Sequence, residues 1–247
     1  MIPAIFMHIQ KTAGTTIASL ARKHYGPENI MTHGDHLCGY FDAVNPSQFF
    51  RKDDILARYR EKLFISGHFG YSFCSAFMAD RYSFTFLRDP KERILSCYYF
   101  FRTQNAEEFP IYKIAKSNSL ENFLELGLEQ YNVRGYIWNA QAWQLAHGYC
   151  NCDGKGLPQF SETEIQDLAY KHINSFSFVG TVENFLRGRD KVFKALGIPL
   201  PIVNRKLNAT AKRPAVKELP KSTQYLLHKL TELEQPLYEC VASSQAD

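Results

Sequence analysis

Nowhere does the 247-residue chain carry a run of about 18 apolar residues, the length a membrane-spanning helix requires. No integral membrane association is therefore expected. The opening residues, MIPAIFMHIQ, lack the basic region and long apolar stretch of a secretory signal, and a soluble, cytoplasmic protein is the expectation. Charge of one sign is also scarce. Lys and Arg number 29 against 25 Asp and Glu, a net charge of +4. That balance is compatible with anionic ligands but too weak to indicate nucleic acid, which is not expected as a partner. Paired metal-ligand spacings are missing too. Six cysteines are scattered as Cys38, Cys74, Cys97, Cys150, Cys152 and Cys240, and only Cys150 and Cys152 lie close, in YCNCDGKG. One C-x-C without a second close pair is a poor zinc signal, so free thiols and no metal are expected. Finally, the P-loop pattern G-x-x-x-x-G-K-[ST] is absent. The segment that most resembles it by layout, IFMHIQKTAGTTI, places Lys11 ahead of Gly14.

What is present is core material. Hydrophobic residues make up 45% and aromatics 14%, enough for a large buried core and too much for a disordered chain. Four short apolar runs read as strands: AIFMHI (4–9), KLFISG (62–67), SFTFLR (83–88) and FSFVG (176–180). Near-continuous runs suit strands covered on both faces of a parallel sheet. Helical patterns follow the first, third and fourth: GTTIASLARKHY, PKERILSCYYFFR and ENFLRGRDKVFKALG, the last ended by Gly197. The middle reads as a helical insertion over about 105–175. It holds NSLENFLELGLEQY, YIWNAQAWQLAH and SETEIQDLAYKHI, with Ser161 and Glu164 as a capping box. A C-terminal helix over about 221–243 carries Leu226, Leu230, Leu233 and Leu237, and Pro236 is expected to kink or split it. The proline- and cation-rich stretch 198–220 reads as a long surface loop. The whole, 1–247, is expected to be one domain of the α/β class, a central parallel sheet flanked by helices.

Ligands of such sheets bind at the carboxyl ends of the strands. After the first strand, Gln10, Lys11, Thr12, Ala13, Gly14, Thr15 and Thr16 offer successive backbone N–H groups, hydroxyls and one cation to an anion, with a helix N-terminus behind them. After the second, His68 sits between Gly67 and Gly70. It is placed either as a general base or as a structural histidine bonded to a nearby carbonyl. After the third, Arg88 offers a planar fork for a phosphate, Asp89 is a helix cap, and Ser96 lies two turns on. Arg93 is expected on a solvated helix face. Glu183, after the fourth strand, is expected to pair with a cation or cap a helix. Two anion sites with a candidate base between them suit a nucleotide phosphorylated at both ends.

These motifs carry a resemblance. HIQKTAGTT is similar to the 5′-phosphosulfate-binding loop of sulfotransferases that use 3′-phosphoadenosine 5′-phosphosulfate, in the branch of the heparan sulfate 2-O- and 6-O-sulfotransferases and their bacterial relatives. FTFLRDPKERILSCYYF resembles that branch's 3′-phosphate segment, and ISGHFGYSF its histidine-bearing segment. NAQAWQLAHG, FSFVGTVENF and KLNAT are weaker echoes. The resemblance implies a three-layer fold related to P-loop kinases, a phosphosulfate donor and no metal. It implies Lys11 on the transferring oxygens, Thr12 to Thr16 around the 5′-phosphate, and Arg88 and Ser96 on the 3′-phosphate. His68 would be the base, and a loop around Lys206 to Lys212 would close over the nucleotide. The acceptor is expected to be a hydroxyl-bearing saccharide or small metabolite. Phe69, Tyr71, Phe73, Tyr98 and Tyr99 are either its lining or simply core. Two other readings stand beside this one: a nucleotide-dependent kinase, disfavoured by the missing G-K-[ST], and a catalytically silent nucleotide- or glycan-binding protein.

Overall fold

The computed structural model describes residues 1–31, 59–147, 160–200 and 213–245. Five strands form one sheet: β1 (Ala4–Met7), β2 (Ile30–Met31), β3 (Phe64–Gly67), β4 (Tyr82–Leu87) and β5 (Phe178–Thr181). Their order is β2-β3-β1-β4-β5 and every pairing is parallel. The four runs read from the sequence are β1, β3, β4 and β5. The fifth strand, β2, is two residues long, too short for any periodicity to reveal.

Parallel strands with full coverage explain the apolar runs. All four residues of β1 are buried, and they divide by alternation between two cores. Ala4 and Phe6 face one layer with Phe64, Phe84 and Phe86. There they meet α1 (Gly14–Tyr25) and α9 (Phe185–Leu196), which contribute Ile17, Ala21, Val192, Phe193 and Leu196. Phe6 stacks on Phe84 at 4.7 Å, its register partner in the parallel pair. Ile5 and Met7 face the opposite and larger layer. This layer holds α2 (Tyr71–Cys74) and α3 (Pro90–Phe101). It also holds the insertion helices α4 (Pro110–Ser117), α5 (Leu120–Glu129), α6 (Tyr131–Ile137), α7 (Ala140–Ala146) and α8 (Glu162–Ile173), and the C-terminal pair α10 (Lys221–Thr231) and α11 (Glu234–Ser243). The fold is thus a three-layer α/β structure with helices on both faces of a parallel sheet. No helix among the described residues is long and apolar enough to cross a membrane.

Local signals account for the helix ends. Asp89 caps α3 by accepting from Glu92 N at 2.9 Å, and Pro90 opens that helix where no N–H is needed. Ser161 and Glu164 make the expected capping box of α8. Gly197 closes α9 at φ 70°. Two breaks depart from the sequence reading. YIWNAQAWQLAH does not form one helix, because Asn139 takes φ 43° between α6 and α7. Its N–H donates to Leu230 O at 2.7 Å, and its Oδ1 accepts from Leu233 N at 3.0 Å. The same buried asparagine therefore stitches its own break to that between α10 and α11. Pro236 falls in the first turn of α11, so the C-terminal segment is split just ahead of it.

Arg93 is a second departure. It is not on a solvated face but 1% exposed, donating to Tyr136 O at 3.0 Å. It packs toward Glu234, itself 0% exposed. The 3.6-residue period places Arg93 beside Cys97, whose Sγ accepts from its Nη1 at 3.6 Å, and Glu234 of α11 adds an opposite charge nearby.

Candidate active site

Along the carboxyl edge, the connection leaving β1 runs toward β2 and β3, whereas that leaving β4 runs toward β5. The crevice where two such connections diverge is where open α/β sheets bind ligands. The loop after β1 and the residue after β4 meet there. Arg88 Nη1 donates to the Lys11 carbonyl at 3.2 Å.

The β1 loop is tightly wound. Lys11 and Ala13 both adopt left-handed backbone, φ 68° and 65°. For non-glycine residues this stores about 1–3 kcal/mol each. Thr12 between them is fully buried, and its Oγ1 donates to Ile9 O at 2.7 Å. Gly14 is needed for a different reason than φ. It is the first helical residue of α1, and a Cβ there would lie 2.1 Å from the His8 ring. The glycine therefore makes room for His8. No side chain caps α1 and its first turn has no acidic residue, so no side chain of the helix offsets the dipole at its start. Gln10 and Ala13 are half-buried, Thr15 is exposed and Thr16 is 8% exposed.

Three cations gather at this point. Lys11 Nζ lies 3.7 Å from the centroid of the Phe100 ring. Burial pushes its pKa below the ordinary lysine range, and Arg88 adds to that push. Arg88 is likewise depressed, by burial first and by Arg213 second, with Glu183 and Glu92 opposing. Arg213 forms an ion pair with Glu92 on α3. The Nε of Arg88 and the Nη1 of Arg213 are buried without a hydrogen-bond partner among the described residues. Leaving such donors unmet costs on the order of 1–3 kcal/mol each, and an anion supplied from outside would meet them. Glu92, Ser96 and Phe100 recur every fourth residue on α3, so Ser96, 1% exposed, sits between the Arg213 and Lys11 contacts. Glu183 acts on the backbone, accepting from Asp89 N at 3.2 Å.

His68 lies one strand over, at the end of β3. Its Nδ1 is 2.7 Å from the carbonyl of His8, and the two imidazoles are 4.4 Å apart, ring centre to ring centre. A carbonyl only accepts, so Nδ1 carries the proton and the basic lone pair resides on Nε2. His68 thus has the carbonyl bond of a structural histidine, and that bond is also what sets a base's tautomer.

Some site contacts carry little sequence signal. Gln141, Gln144 and Arg213 lie far from the strand ends in sequence and reach them only through the fold. NAQAWQLAHG nevertheless stood out as a weak echo. Of the aromatics weighed as acceptor lining, Phe69, Phe73 and Tyr98 are core residues, 5%, 3% and 4% exposed, and Tyr71 and Tyr99 are half-buried. Lys206, Lys212, Cys38, Cys150 and Cys152 lie outside the described residues. No group of three or more His, Cys, Asp or Glu side chains placed to hold a metal occurs among the described residues.

No curated protein matches the chain by sequence. Among solved structures it is similar to a sulfotransferase from Alicyclobacillus acidocaldarius, at 13% identity and a TM-score of 0.45, over 97% of this chain and 99% of that one. The model of the Sulfotransferase family matches residues 3–239, and the chain belongs to that family.

Proposed function

We propose that the chain transfers a sulfuryl group from 3′-phosphoadenosine 5′-phosphosulfate to a hydroxyl of a saccharide or other small acceptor, by in-line displacement with His68 as general base. The observation that carries this reading is the bond from Arg88 to the Lys11 carbonyl. It joins two cationic loops at the switch point of the sheet, one strand from His68. A nucleotide phosphorylated at both ends has one charge cluster for each loop.

In this reading the backbone of Ala13 to Thr15 and the hydroxyls of Thr15 and Thr16, with Gln10 beside them and the uncapped start of α1 behind, hold the 5′-phosphosulfate, while Thr12, whose N–H and hydroxyl both donate to Ile9 O, shapes the loop. Arg88 and Ser96 hold the 3′-phosphate, and the unmet donors on Arg88 and Arg213 supply the fit. The acceptor oxygen attacks sulfur as the bond from sulfur to the phosphate oxygen breaks. The hydroxyl proton passes to His68 Nε2, and adenosine 3′,5′-bisphosphate leaves with the released electron pair. Lys11 neutralises the charge that grows on the bridging oxygen. Its position over Phe100 keeps the ammonium in the crevice. Positioning and preorganised charge, rather than a covalent intermediate, provide the acceleration. Lys206 and Lys212 are proposed to cover the nucleotide by family resemblance alone.

Titration calorimetry with adenosine 3′,5′-bisphosphate in the presence of a chelator, followed by transfer of labelled sulfate to a panel of hydroxyl acceptors, tests the reading. Metal-independent binding and labelled product are expected. Binding of magnesium-ATP with no preference for the bisphosphate would overturn it in favour of a kinase.

A further inference from the structure

Helix α7 crosses the carboxyl edge of the sheet, and Gln141, Gln144 and the residue just past its end, His147, each touch a different loop. Gln141 faces Arg88, its Nε2 donating to Arg88 O and its Oε1 accepting from Arg88 N, both at 2.9 Å. Gln144 faces the β3 and β1 loops, its Nε2 donating to Phe69 O at 2.8 Å and lying 3.4 Å from His8 O. His8 O is the same carbonyl that fixes His68. His147 ends the row, its Nδ1 2.9 Å from Ser72 Oγ and its carbonyl accepting from Ser72 N at 2.7 Å. Gln141 and Gln144, three apart, are neighbours on the helix surface, and His147 is the residue that caps its end, so the three contacts tie the ends of β4, β1 and β3 to one short helix.

The two glutamines are 1% and 3% exposed. Glutamine carries an uncharged carbonyl acceptor and amide donor side by side, and the Arg88 backbone needs both. Gln141 is in turn fixed by its own N–H, which donates to Glu234 Oε2 at 2.7 Å. A buried amide with all its partners protein-borne is rigid. We infer that α7 is the positioning element of the reaction: Gln141 aims Arg88 at the 3′-phosphate, and Gln144 holds the His68 segment in register with the β1 loop. Neither glutamine is a catalytic residue. Each acts on backbone that carries one.

This inference rests on the donor reading above, and its test separates the two. Gln141→Met and Gln144→Met keep side-chain volume and remove the bonds. Gln141→Glu keeps the acceptor for Arg88 N and loses the donor to Arg88 O. For each, the affinities for adenosine 3′,5′-bisphosphate and for adenosine 5′-phosphate are measured by calorimetry, and the tautomer of His68 is read from imidazole nitrogen NMR shifts. Gln141→Met is expected to lower the preference for the bisphosphate at least tenfold, with adenosine 5′-phosphate affinity within twofold and the His68 spectrum unchanged. Gln141→Glu should fall between it and wild type. Gln144→Met is expected to leave the preference within twofold and to shift His68 from the Nδ1–H form to a mixture. Equal loss for both nucleotides in Gln141→Met, or an unshifted His68 in Gln144→Met, would overturn the positioning role. A wild-type protein with no preference for the bisphosphate would instead sink the donor reading, and the His68 arm would still decide whether α7 positions the β3 loop.

Discussion

Gly14 offers the sharpest test of how the crevice is built. In Gly14→Ala the new Cβ would lie 2.1, 2.1 and 2.4 Å from three atoms of the His8 ring, where carbon contacts favour about 3.5–4.0 Å. The ring must retreat by more than about 1 Å, but Phe6 stacks on one side of it at 5.3 Å and His68 lies at 4.4 Å. Overpacking of this kind costs about 1–3 kcal/mol. Replacing glycine in a helix returns up to about 1 kcal/mol. A net loss of about 1–2 kcal/mol is expected, a fall in Tm of about 2–4 °C per kcal/mol for a chain of this size. Urea titration of Gly14→Ala, His8→Ala and the double variant reads it. With the ring removed, Gly14→Ala should be neutral or stabilising, a coupling of at least about 1 kcal/mol between the sites. If Gly14→Ala costs the same with and without the His8 ring, the steric reasoning is wrong. The displaced ring presses on His68, so Gly14→Ala should also slow sulfuryl transfer.

Other expectations follow from the same geometry. His68→Ala should abolish transfer while adenosine 3′,5′-bisphosphate still binds, and turnover near wild type would place the base elsewhere. Arg88→Ala should weaken the bisphosphate by roughly 1.5–3 kcal/mol, the scale of a charged hydrogen bond, and adenosine 5′-phosphate far less; calorimetry with the two ligands checks the difference. Lys11→Ala should mainly lower kcat, and a change confined to KM would contradict its role at the breaking bond. Burial and Arg88 depress the Lys11 pKa, so the cation is present below that value and lost above it. Bisphosphate affinity should therefore decline with rising pH before the ordinary lysine range near 10.5 is reached. Lys11→Arg, which stays charged, should remove the decline.

The folding pattern was largely legible along the chain because each part of it is local. Apolar runs marked four of the five strands, and the caps at Asp89, Ser161 and Gly197 are short-range hydrogen bonds or backbone geometry that need no distant partner. The helix breaks were less legible. Asn139 reads as an ordinary helical asparagine until Leu230 and Leu233 arrive from the other end of the chain. Arg93 looked solvated for the same reason: what buries it, Tyr136 and Glu234, lies 43 and 141 positions further on.

The site divides along the same line. Residue type and spacing alone placed Lys11, His68 and Arg88 at strand ends, because a parallel sheet brings its carboxyl ends to one edge whatever else the chain does. Strand order put the loops of β1 and β4 side by side, and it cannot be read from any single strand. Tertiary structure alone brought Gln141, Gln144 and Arg213 to those loops. It also set the need for Gly14 by the space taken by His8, and put the left-handed backbone on Lys11 and Ala13. Local sequence determines which chemistry a segment can offer. Only packing determines which groups are left buried and, among the described residues, without a hydrogen-bond partner, as Arg88 Nε and Arg213 Nη1 are.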